Sequence, residues 1–397
     1  MIIGFVGAPS SGKSSFFKAA TLADAEIANY PFTTIKPNHG VGFVRIDCVD
    51  KDFGKQCNPR IGYCVNHQRF VAVDLMDVAG LVPGAHLGLG LGSQFLDDLR
   101  QAHVLIQVVD MAGATNEKGD PVAPLSHDPA INIRFLEVEL DMWYLGILKK
   151  GWEKFARTIQ QQKGELYKAL GKQLSGLGVT EEMVNEAMKK LGLSTDPVAW
   201  VDKDLERLAT HLRKQTKPMV IAANKIDIPG ADNNYERIKK EFPEINILPC
   251  SAASELALRE ASKAGLIKYL PGDADFEIIA PEKLSEAQKK GLEYIRNNVM
   301  KAWKGTGVQQ ILNFAVFDLL KYIAIYPGGV NNLVDTKGNC LPDCFLMPPG
   351  STSLDFAFKL HTDFGKNFIR AIDVKTKMTV GKEHKIKHRD VMEIVSR

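Results

Sequence analysis

The sequence has little of three things: net charge, long apolar runs and closely spaced cysteine pairs. Its 50 basic residues nearly balance its 47 acidic residues, which gives a formal net charge of +3. This balance excludes binding of nucleic acid through overall charge, so any basic surface must be local. The apolar stretches are as long as single strands and too short to cross a bilayer, and Met1 leads into the first of them without a signal-peptide pattern. We therefore expect a cytoplasmic protein with no membrane partner.

The six cysteines lack the C-x-x-C spacing typical of zinc sites. They stand at positions 48, 57, 64, 250, 340 and 344. Cys340 and Cys344 are candidates for a metal knuckle, although no second pair is evident. Cys57 and Cys64 flank a turn and could pair in an oxidising setting. We expect reduced thiols.

A glycine-rich loop stands between a predicted strand, 2–6, and a predicted helix that begins near Ser14. Its sequence, Gly7-Ala-Pro-Ser-Ser-Gly-Lys13-Ser14, matches G-x-x-x-x-G-K-[ST], a loop that binds nucleotide phosphates. The glycines let backbone N–H groups face a polyanion, Lys13 reaches the terminal phosphates, and the Ser14 hydroxyl binds Mg²⁺. The predicted phosphate-binding residues here are Gly7, Ala8, Pro9, Ser10, Ser11, Gly12, Lys13, Ser14 and Ser15.

Two later segments have the chemistry needed to recognise guanine. An apolar strand ends in Asn224-Lys225-Ile-Asp227, where the Asp227 carboxylate can accept both guanine N–H donors and Asn224 can link this loop to the phosphate loop. Adenine lacks these donors and would leave the carboxylate unpaired. After the next predicted strand, backbone N–H groups of a small-residue loop can approach the guanine O6. The predicted guanine-binding residues are Asn224, Lys225, Asp227, Ser251, Ala252 and Ala253.

Three further residues are placed to hold Mg²⁺ or the γ-phosphate. Asp77 ends a predicted strand and can hold the metal through a water, while Gly80 can bring its N–H to the γ-phosphate. Thr34, chosen over its neighbour Thr33, can place its hydroxyl on the metal and order its loop in the triphosphate state. The predicted metal ligands are Ser14, Thr34 and Asp77.

Alternating strand and helix patterns predict an α/β fold, a P-loop NTPase with a doubly wound, mostly parallel sheet. The strand-like runs are 2–6, 41–46, 70–76, 103–109, 218–223 and 246–250. We predict a discontinuous G domain over 1–129 and 216–326, a helical insertion over 130–215 that could be an antiparallel hairpin, and a β-rich domain over 327–397. Residues 308–326 are predicted to be helical. Residues 47–69 are predicted to form a hairpin that turns at Asn58-Pro59.

Long segments of the chain resemble Obg-type GTPases, in particular the YchF-like branch. Asn29-Tyr-Pro-Phe-Thr-Thr-Ile-Lys-Pro-Asn-His-Gly40 and residues 77–96 resemble the switch regions of this family. Residues 345–365 and 387–395 resemble the TGS domain, a small β-grasp unit that the branch carries. The resemblance covers essentially the whole chain. It implies a GTPase domain followed by a TGS domain.

The resemblance also bears on the rate and on the choice of nucleotide. Members have an apolar residue where Ras-like proteins have a water-orienting Gln. Here that residue is Leu81, which implies slow hydrolysis and leaves the catalytic residue unknown. Many YchF-like members prefer ATP and alter the carboxylate position that this chain keeps as Asp227, so GTP is expected. Potassium-using relatives often have Asn where this chain has Ser10, which argues against activation by potassium.

The sequence thus predicts a magnesium-dependent switch that binds GTP or GDP and hydrolyses GTP slowly. The resemblance implies that the ribosome, tRNA or rRNA is its partner, reached through the TGS domain and the helical insertion. Two alternatives stay open. One is an ATP-preferring hydrolase of the same fold. The other is a nucleotide-stabilised RNA- or ribosome-binding protein with incidental turnover.

Overall fold

A seven-stranded sheet forms the centre of the N-terminal part of the chain. The computed structural model describes residues 1–21, 39–78, 98–116 and 119–397. The strand order is β2-β4-β1-β5-β6-β7, with β3 paired to β4. These strands are β1 (Ile2–Val6), β2 (His39–Asp47), β3 (Tyr63–Val65), β4 (Gln68–Asp77), β5 (Val104–Asp110), β6 (Met219–Asn224) and β7 (Asn246–Pro249). Among the described strands of this sheet, β2 and β3 alone run antiparallel to their neighbour, so the predicted strands and the mostly parallel sheet are confirmed.

Helices cover both faces of this sheet. They are α1 (Lys13–Thr21), α2 (Pro129–Lys149), α3 (Trp152–Gln161), α4 (Leu166–Leu174), α5 (Glu181–Leu191), α6 (Asp202–Thr216), α7 (Ala231–Glu241), α8 (Ala252–Lys263), α9 (Glu286–Ile295) and α10 (Val308–Asn313). A π-helical turn extends α9 to Lys301–Trp303, and another extends α10 to Leu319. Two short strands, β8 (Ile267–Lys268) and β9 (Glu277–Ile278), pair beside α8. Side chains of β5 alternate between the two faces, because Val104 and Ile106 pack with α1 and α10 whereas Leu105 packs with α2.

The helical insertion consists of five helices, α2 to α6, so the simpler expectation of an antiparallel hairpin is wrong. Leu140 on α2 shares a buried cluster with Leu105 of the sheet, which joins the insertion to the sheet. Buried Arg213 of α6 pairs with Glu137 at 3.2 Å and with Asp141 at 2.7 Å, both on α2. Within the described ranges, no helix combines the length and apolar character needed to cross a membrane.

The C-terminal domain is a five-stranded sheet in the order β11-β10-β14-β12-β13, covered by two helices. Its elements are β10 (Ile323–Pro327), β11 (Phe345–Met347), α11 (Ser353–Leu360), α12 (Thr362–Lys366), β12 (Phe368–Asp373), β13 (Met378–Val380) and β14 (Val391–Ser396). The helix predicted over 308–326 ends at Leu319, because the following apolar residues pair instead with β11 and β14. The C-terminal sheet therefore begins before the predicted boundary at residue 327.

The segment between β2 and β4 differs from the predicted hairpin. It contains a 3₁₀ turn at Val49–Phe53 and the short strand β3. The tight turn lies at Asn66 and His67, whose φ angles of 51° and 62° are left-handed. The Asn58-Pro59 segment is a contact to the C-terminal domain, since Asn58 N donates to Cys340 O at 2.8 Å.

Candidate nucleotide-binding site

The segment from Gly7 to Gly12 turns sharply between β1 and α1. A Cβ at Gly7 would lie 2.5 Å from the carbonyl oxygen of Val108, and a Cβ at Gly12, where φ is +93°, would collide with the Asn224 amide. Both positions therefore need glycine. Ser11 is buried, and its hydroxyl has no hydrogen-bond partner among the described residues. A buried hydroxyl without a partner is suited to a ligand oxygen.

The outer side of this loop contacts the segment that follows β5. Ser10 has a left-handed φ of 60°, and its hydroxyl donates to Gly119 O at 3.0 Å. A Cβ at Gly119 would lie 2.5 Å from the Cβ of Pro9. Ala8 is half-buried, whereas Ser14 and Ser15 are exposed in the first turn of α1. The loop is thus held in place from outside while its helical end stays accessible.

Lys13 and Asp77 form an ion pair at the carboxyl ends of neighbouring strands. The Lys13 ammonium also donates to Val78 O at 2.7 Å. The parallel register places Phe5 beside Asp77, so the phosphate loop begins next to this carboxylate. The structure therefore brings together the predicted phosphate-binding lysine and the predicted metal ligand, at the edge where open α/β sheets bind ligands.

Asn224 joins three loops. Its side-chain amide donates to Ser11 O at 2.9 Å, and its Oδ1 accepts from Ala252 N at 3.0 Å. The residue is buried, so both contacts are shielded from water. The predicted link between the Asn-Lys-x-Asp loop and the phosphate loop is present.

The sequence interpretation missed the residue that positions Lys225. This lysine is left-handed, with φ of 61°, and its ammonium lies 2.8 Å from Oδ2 of Asp110. Asp110 ends β5, is buried, and also accepts from Ala112 N and from Thr115 Oγ1 at 3.0 Å each. The sequence does contain one signal for Asp110, which is an acidic residue at the end of an otherwise apolar strand.

Asp227 lies half-buried after β6, and its main chain is anchored by a distant helix. The hydroxyl of Tyr294, on α9, donates to Asp227 O at 2.6 Å. Partial burial, followed by the nearby Asp227 charge, raises the pKa of Tyr294 above its usual range and keeps the hydroxyl a donor. Because Tyr294 contacts the main-chain carbonyl, the side-chain carboxylate of Asp227 stays available to a ligand.

The Ser251–Ala253 loop begins α8, and two of its three amides are already engaged. Ser251 N donates to Thr306 O at 2.8 Å, and Ala252 N donates to Asn224. The Ser251 hydroxyl caps the helix by accepting from Ser254 N. Ala253 is exposed at the second helical position, where a backbone N–H has no acceptor within the helix. Of this predicted trio, Ala253 is the residue whose amide can meet a base oxygen.

A buried carboxylate supports this loop from below. Glu255 accepts from the hydroxyls of Tyr269, at 2.6 Å, and Thr306. Burial raises the pKa of Glu255, an effect that Arg259 and the two hydroxyls partly offset. Gly307, with φ of +86°, leaves no room for a Cβ against the carbonyl of Pro249. These contacts fix the start of α8. Several of the residues involved are far apart in the sequence, so no sequence motif connects them.

The remaining predicted ligands, Thr34 and Gly80, lie outside the described residues, as does Leu81. Among the described positions, Lys13, Ser14 and Asp77 lie at one end of the site, and Asp227 and Ala253 at the other. Asn224 connects the two ends. This arrangement can bind an anion and a planar polar ring at a fixed separation.

Comparison with known proteins agrees with this arrangement. Successive parts of the chain match family models for a 50S ribosome-binding GTPase (residues 2–133), an Obg-like GTPase, YGR210-like, G4 motif-containing domain (222–330) and a TGS domain (334–396). The uncharacterised GTP-binding protein MJ1332 of Methanocaldococcus jannaschii is 48% identical over 396 residues, covering 100% of this chain and 99% of that protein. The ribosome-binding ATPase YchF of Buchnera aphidicola subsp. Acyrthosiphon pisum is 27% identical over 377 residues, 94% of this chain and 88% of that one.

A solved structure extends the likeness to three dimensions. The crystal structure of a GTP-binding protein from Pyrococcus horikoshii OT3 matches with a TM-score of 0.79 and 41% identity, and the match covers 100% of both chains. The phosphate loop, the Asn224–Asp227 loop and the C-terminal sheet all fall within the residues that these comparisons cover. The chain therefore belongs to the Obg/YchF family of P-loop GTPases, and is a GTP-binding hydrolase with a C-terminal TGS domain.

Proposed function

We propose that the site binds Mg²⁺–GTP, selects guanine through Asp227, hydrolyses GTP slowly and reports its nucleotide state to the ribosome. The double hydrogen bonding of Asn224 carries the first part of this proposal. It sets the position of the Asp227 loop relative to the phosphate loop, so one ligand of fixed length can engage both.

Guanine selection rests on the half-buried Asp227 carboxylate, which can accept from guanine N1–H and from the 2-amino group. The Lys225 stem, held by Asp110, would lie along the base, and the Ala253 amide would meet O6. Adenine offers an acceptor at N1 and no 2-amino group, so it would leave the carboxylate without partners. The cost of that loss favours GTP over ATP.

The residues at the phosphate end fit Mg²⁺. The Ser14 hydroxyl and the Asp77 carboxylate are hard oxygen donors of the kind that this ion prefers, and the buried Ser11 hydroxyl offers one more polar contact for the phosphates. Thr34, on sequence grounds, would complete the metal ligands. Bound Mg²⁺ would neutralise charge on the β- and γ-phosphates. Lys13 would exchange part of its contact with Asp77 for the terminal phosphate oxygens.

Slow turnover follows from Leu81, an apolar side chain at the position where a water would be oriented. Intrinsic rates of unstimulated switches are roughly 10⁻⁴ to 10⁻² per second. Leu81→Ala should leave the single-turnover rate within a few-fold of the wild-type rate. A loss of several hundredfold would show that Leu81 positions a reacting group.

The test of base selection is calorimetric titration with GTP, GDP, ATP and xanthosine triphosphate. Asp227→Asn should weaken GTP binding by about 2 kcal/mol, or about 30-fold, and improve binding of the xanthosine nucleotide, because an amide can donate to its 2-oxo group. Asp232→Asn, at an exposed acidic residue on α7, is the matched control. Equal affinity of the wild type for ATP and GTP would favour the ATP-preferring alternative.

An RNA-containing partner is supported by the exposed surface of the TGS domain. Aromatic and apolar side chains there are interleaved with basic ones, as in RNA-binding surfaces. Phe358 and Phe364 are 47% and 42% exposed, and Met378 is 63% exposed. The exposed basic residues are Lys359, Lys366, Arg370, Lys377, Lys382, Lys385 and Lys387. Two further basic residues of this domain, Lys375 and Arg389, pair with Asp52 of the G domain at 2.8 Å and 3.3 Å.

The name of the Buchnera relative, a ribosome-binding ATPase, points to the ribosome as this partner. The helical insertion is a second candidate contact. Ribosome co-sedimentation with a non-hydrolysable GTP analogue, with GDP and without nucleotide tests the proposal at several salt concentrations. Replacing Lys366 and Arg370 together with Ala should lower the salt-dependence slope by about 2, whereas Lys289→Ala on α9 should not. Identical sedimentation in all three nucleotide states would contradict a ribosome-directed switch.

A further inference from the structure

Four potential metal ligands converge beneath the TGS domain, away from the nucleotide site. They are Cys48, Asp50, Cys57 and Cys64, and one ligand atom of each lies within 4.8 Å of all the others. Cys48 follows β2, Asp50 lies in the 3₁₀ turn, and Cys64 lies in β3. Three of the four are buried, and Cys64 is half-buried. Eight residues stand between Cys48 and Cys57, and six between Cys57 and Cys64, so no known short metal-binding motif reveals this cluster.

Two of the six separations are close to the edges of a tetrahedral site, and the others are within 4.8 Å. With metal–sulfur bonds of about 2.3 Å, the edge between two sulfur ligands of a tetrahedral site is about 3.8 Å, and a sulfur–oxygen edge is about 3.6 Å. The Sγ atoms of Cys48 and Cys57 are 3.4 Å apart, and Cys64 Sγ lies 3.7 Å from Asp50 Oδ2. All six cysteines are free thiols. Small adjustments of side-chain torsion would bring the four atoms to one centre.

The carboxylate is held as metal-binding carboxylates are, by partners that fix its orientation. Oδ2 of Asp50 accepts from Cys57 N at 2.8 Å, and its other oxygen lies 2.9 Å from Nδ1 of His67. Asp50 itself is fully buried. His67 is therefore a positioning residue beside the cluster.

A buried guanidinium indicates that the cluster carries negative charge. Arg69 is buried, and none of the ion pairs recorded among the described residues gives it a carboxylate partner. Its Nη1 donates to Cys57 Sγ at 3.4 Å and to Leu341 O at 2.8 Å, and its Nη2 donates to Pro342 O at 2.9 Å. A buried cation needs a counter-charge. Three thiolates and a carboxylate around a divalent ion leave two negative charges in excess, which Arg69 partly neutralises.

We propose that Cys48, Cys57, Cys64 and Asp50 form a closed structural site for a divalent ion of the zinc class. Three sulfurs and one carboxylate oxygen fill a tetrahedron, so the site has no open position for a substrate. The ion would fix the segment that Asn58 and Arg60 use to contact the main chain of residues 340 and 342 in the C-terminal domain. The site thus stabilises the contact between the two domains and is independent of nucleotide.

The test is metal binding by the full-length, reduced chain. Protein purified from zinc-supplemented medium should retain about one zinc per chain by mass spectrometry of its metal content. After chelation, titration with Co²⁺ should produce thiolate-to-cobalt charge-transfer absorption in the near ultraviolet and the visible bands of a tetrahedral site. Wild-type protein alone gives this readout, so it does not depend on a variant that folds.

Two cysteine variants locate the site. Cys57→Ser should weaken Co²⁺ binding by at least tenfold and reduce the charge-transfer absorption. Cys340→Ser, a buried thiol of the same apolar core outside the ligand set, should bind one ion as the wild type does. Absence of cobalt absorption in the wild type, equal binding by the two variants, or a Cys48–Cys57 disulfide in freshly purified protein would overturn the proposal.

Discussion

The side-chain amide of Asn224 and the main-chain carbonyl of Ser11 are joined by a buried hydrogen bond of 2.9 Å, across 213 residues of sequence. This contact sets the geometry of the nucleotide site, because the opposite side of the same amide holds Ala252. Loss of a buried hydrogen bond is costly, because the polar groups left behind are not reached by water and have no other partner.

Asn224→Ala should therefore weaken binding of GTP and GDP alike. Loss of two contacts leaves a buried carbonyl and a buried N–H without partners, at a cost of about 1–3 kcal/mol for each group. Calorimetric affinity for both nucleotides, together with thermal unfolding, measures the effect. Asn339→Ala, which removes an Asn–Asp335 contact in the C-terminal domain, serves as the control and should leave affinity unchanged.

Lys13→Ala should lower affinity for GTP more than affinity for GDP. The lost ammonium faces the terminal phosphates in the proposed complex, and a tenfold or greater difference is expected because charge-assisted contacts to phosphate are strong. Lys18→Ala, which removes an exposed lysine of the same helix, is the control. Equal losses for GTP and GDP would place Lys13 away from the terminal phosphate.

Ser14→Ala should raise the Mg²⁺ concentration needed for tight GTP binding. The hydroxyl is exposed in the first turn of α1, so its loss should leave the unfolding free energy within about 0.5 kcal/mol of the wild type. Titration of GTP affinity against Mg²⁺ measures the shift. An unchanged Mg²⁺ requirement would exclude Ser14 as a ligand.

Two contacts between the G domain and the C-terminal domain should differ in strength. Asp52→Asn weakens two exposed ion pairs, with Lys375 and with Arg389, and should cost about 1 kcal/mol. Arg69→Met leaves the buried carbonyls of Leu341 and Pro342 without donors and should cost several times more. Urea unfolding of both variants gives the comparison, and similar costs would show that Arg69 contributes little.

The pKa of Lys217 predicts a dependence of stability on alkaline pH. Burial lowers this pKa from 10.5 to about 8, while the ammonium donates to Ala102 O at 2.6 Å. Between these two values the folded chain binds fewer protons than the unfolded chain, so the free energy of unfolding rises with pH, by up to about 3 kcal/mol. Below pH 8 the penalty is present in full.

Lys217→Met should abolish this rise. The difference in unfolding free energy between pH 8 and pH 10, measured by urea denaturation, should shrink relative to the wild type. Lys214→Met, three residues earlier and exposed, should retain the wild-type difference. A Lys217→Met variant with the same pH dependence as the wild type would refute the assignment.

The strands and loops that carry sequence motifs can be predicted, because the local sequence determines their structure. Gly7, Gly12 and Asn224 sit where their motifs required. Residues 323–326 are predicted as helix because the partners of this strand, β11 and β14, come later in the chain and no local pattern reveals them. The contact of Tyr294 with Asp227 has no local signal for the same reason, whereas Asp110 has one, as an acidic residue at the end of an apolar strand.

The cysteine cluster shows this limit most clearly. Cys48, Cys57 and Cys64 look unrelated along the chain, and they meet only because a 3₁₀ turn and a short hairpin fold back on β2. Side chains that converge through irregular backbone leave no periodic signal. That these side chains could bind one metal ion together becomes apparent only in the folded structure.

Strand β4 places Asp77 and Arg69 on a single rigid element. Eight residues of extended chain separate them by about 26 Å. Nine successive register pairs with β2 brace this strand along its length. While Arg69 keeps its hydrogen bonds to Leu341 O and Pro342 O, a displacement of the C-terminal domain along β4 must carry the Asp77 carboxylate with it or break that ladder. Strand β4 thus links the Asp77 end of the nucleotide site to the Arg69 contact with the C-terminal domain through one continuous ladder of hydrogen bonds.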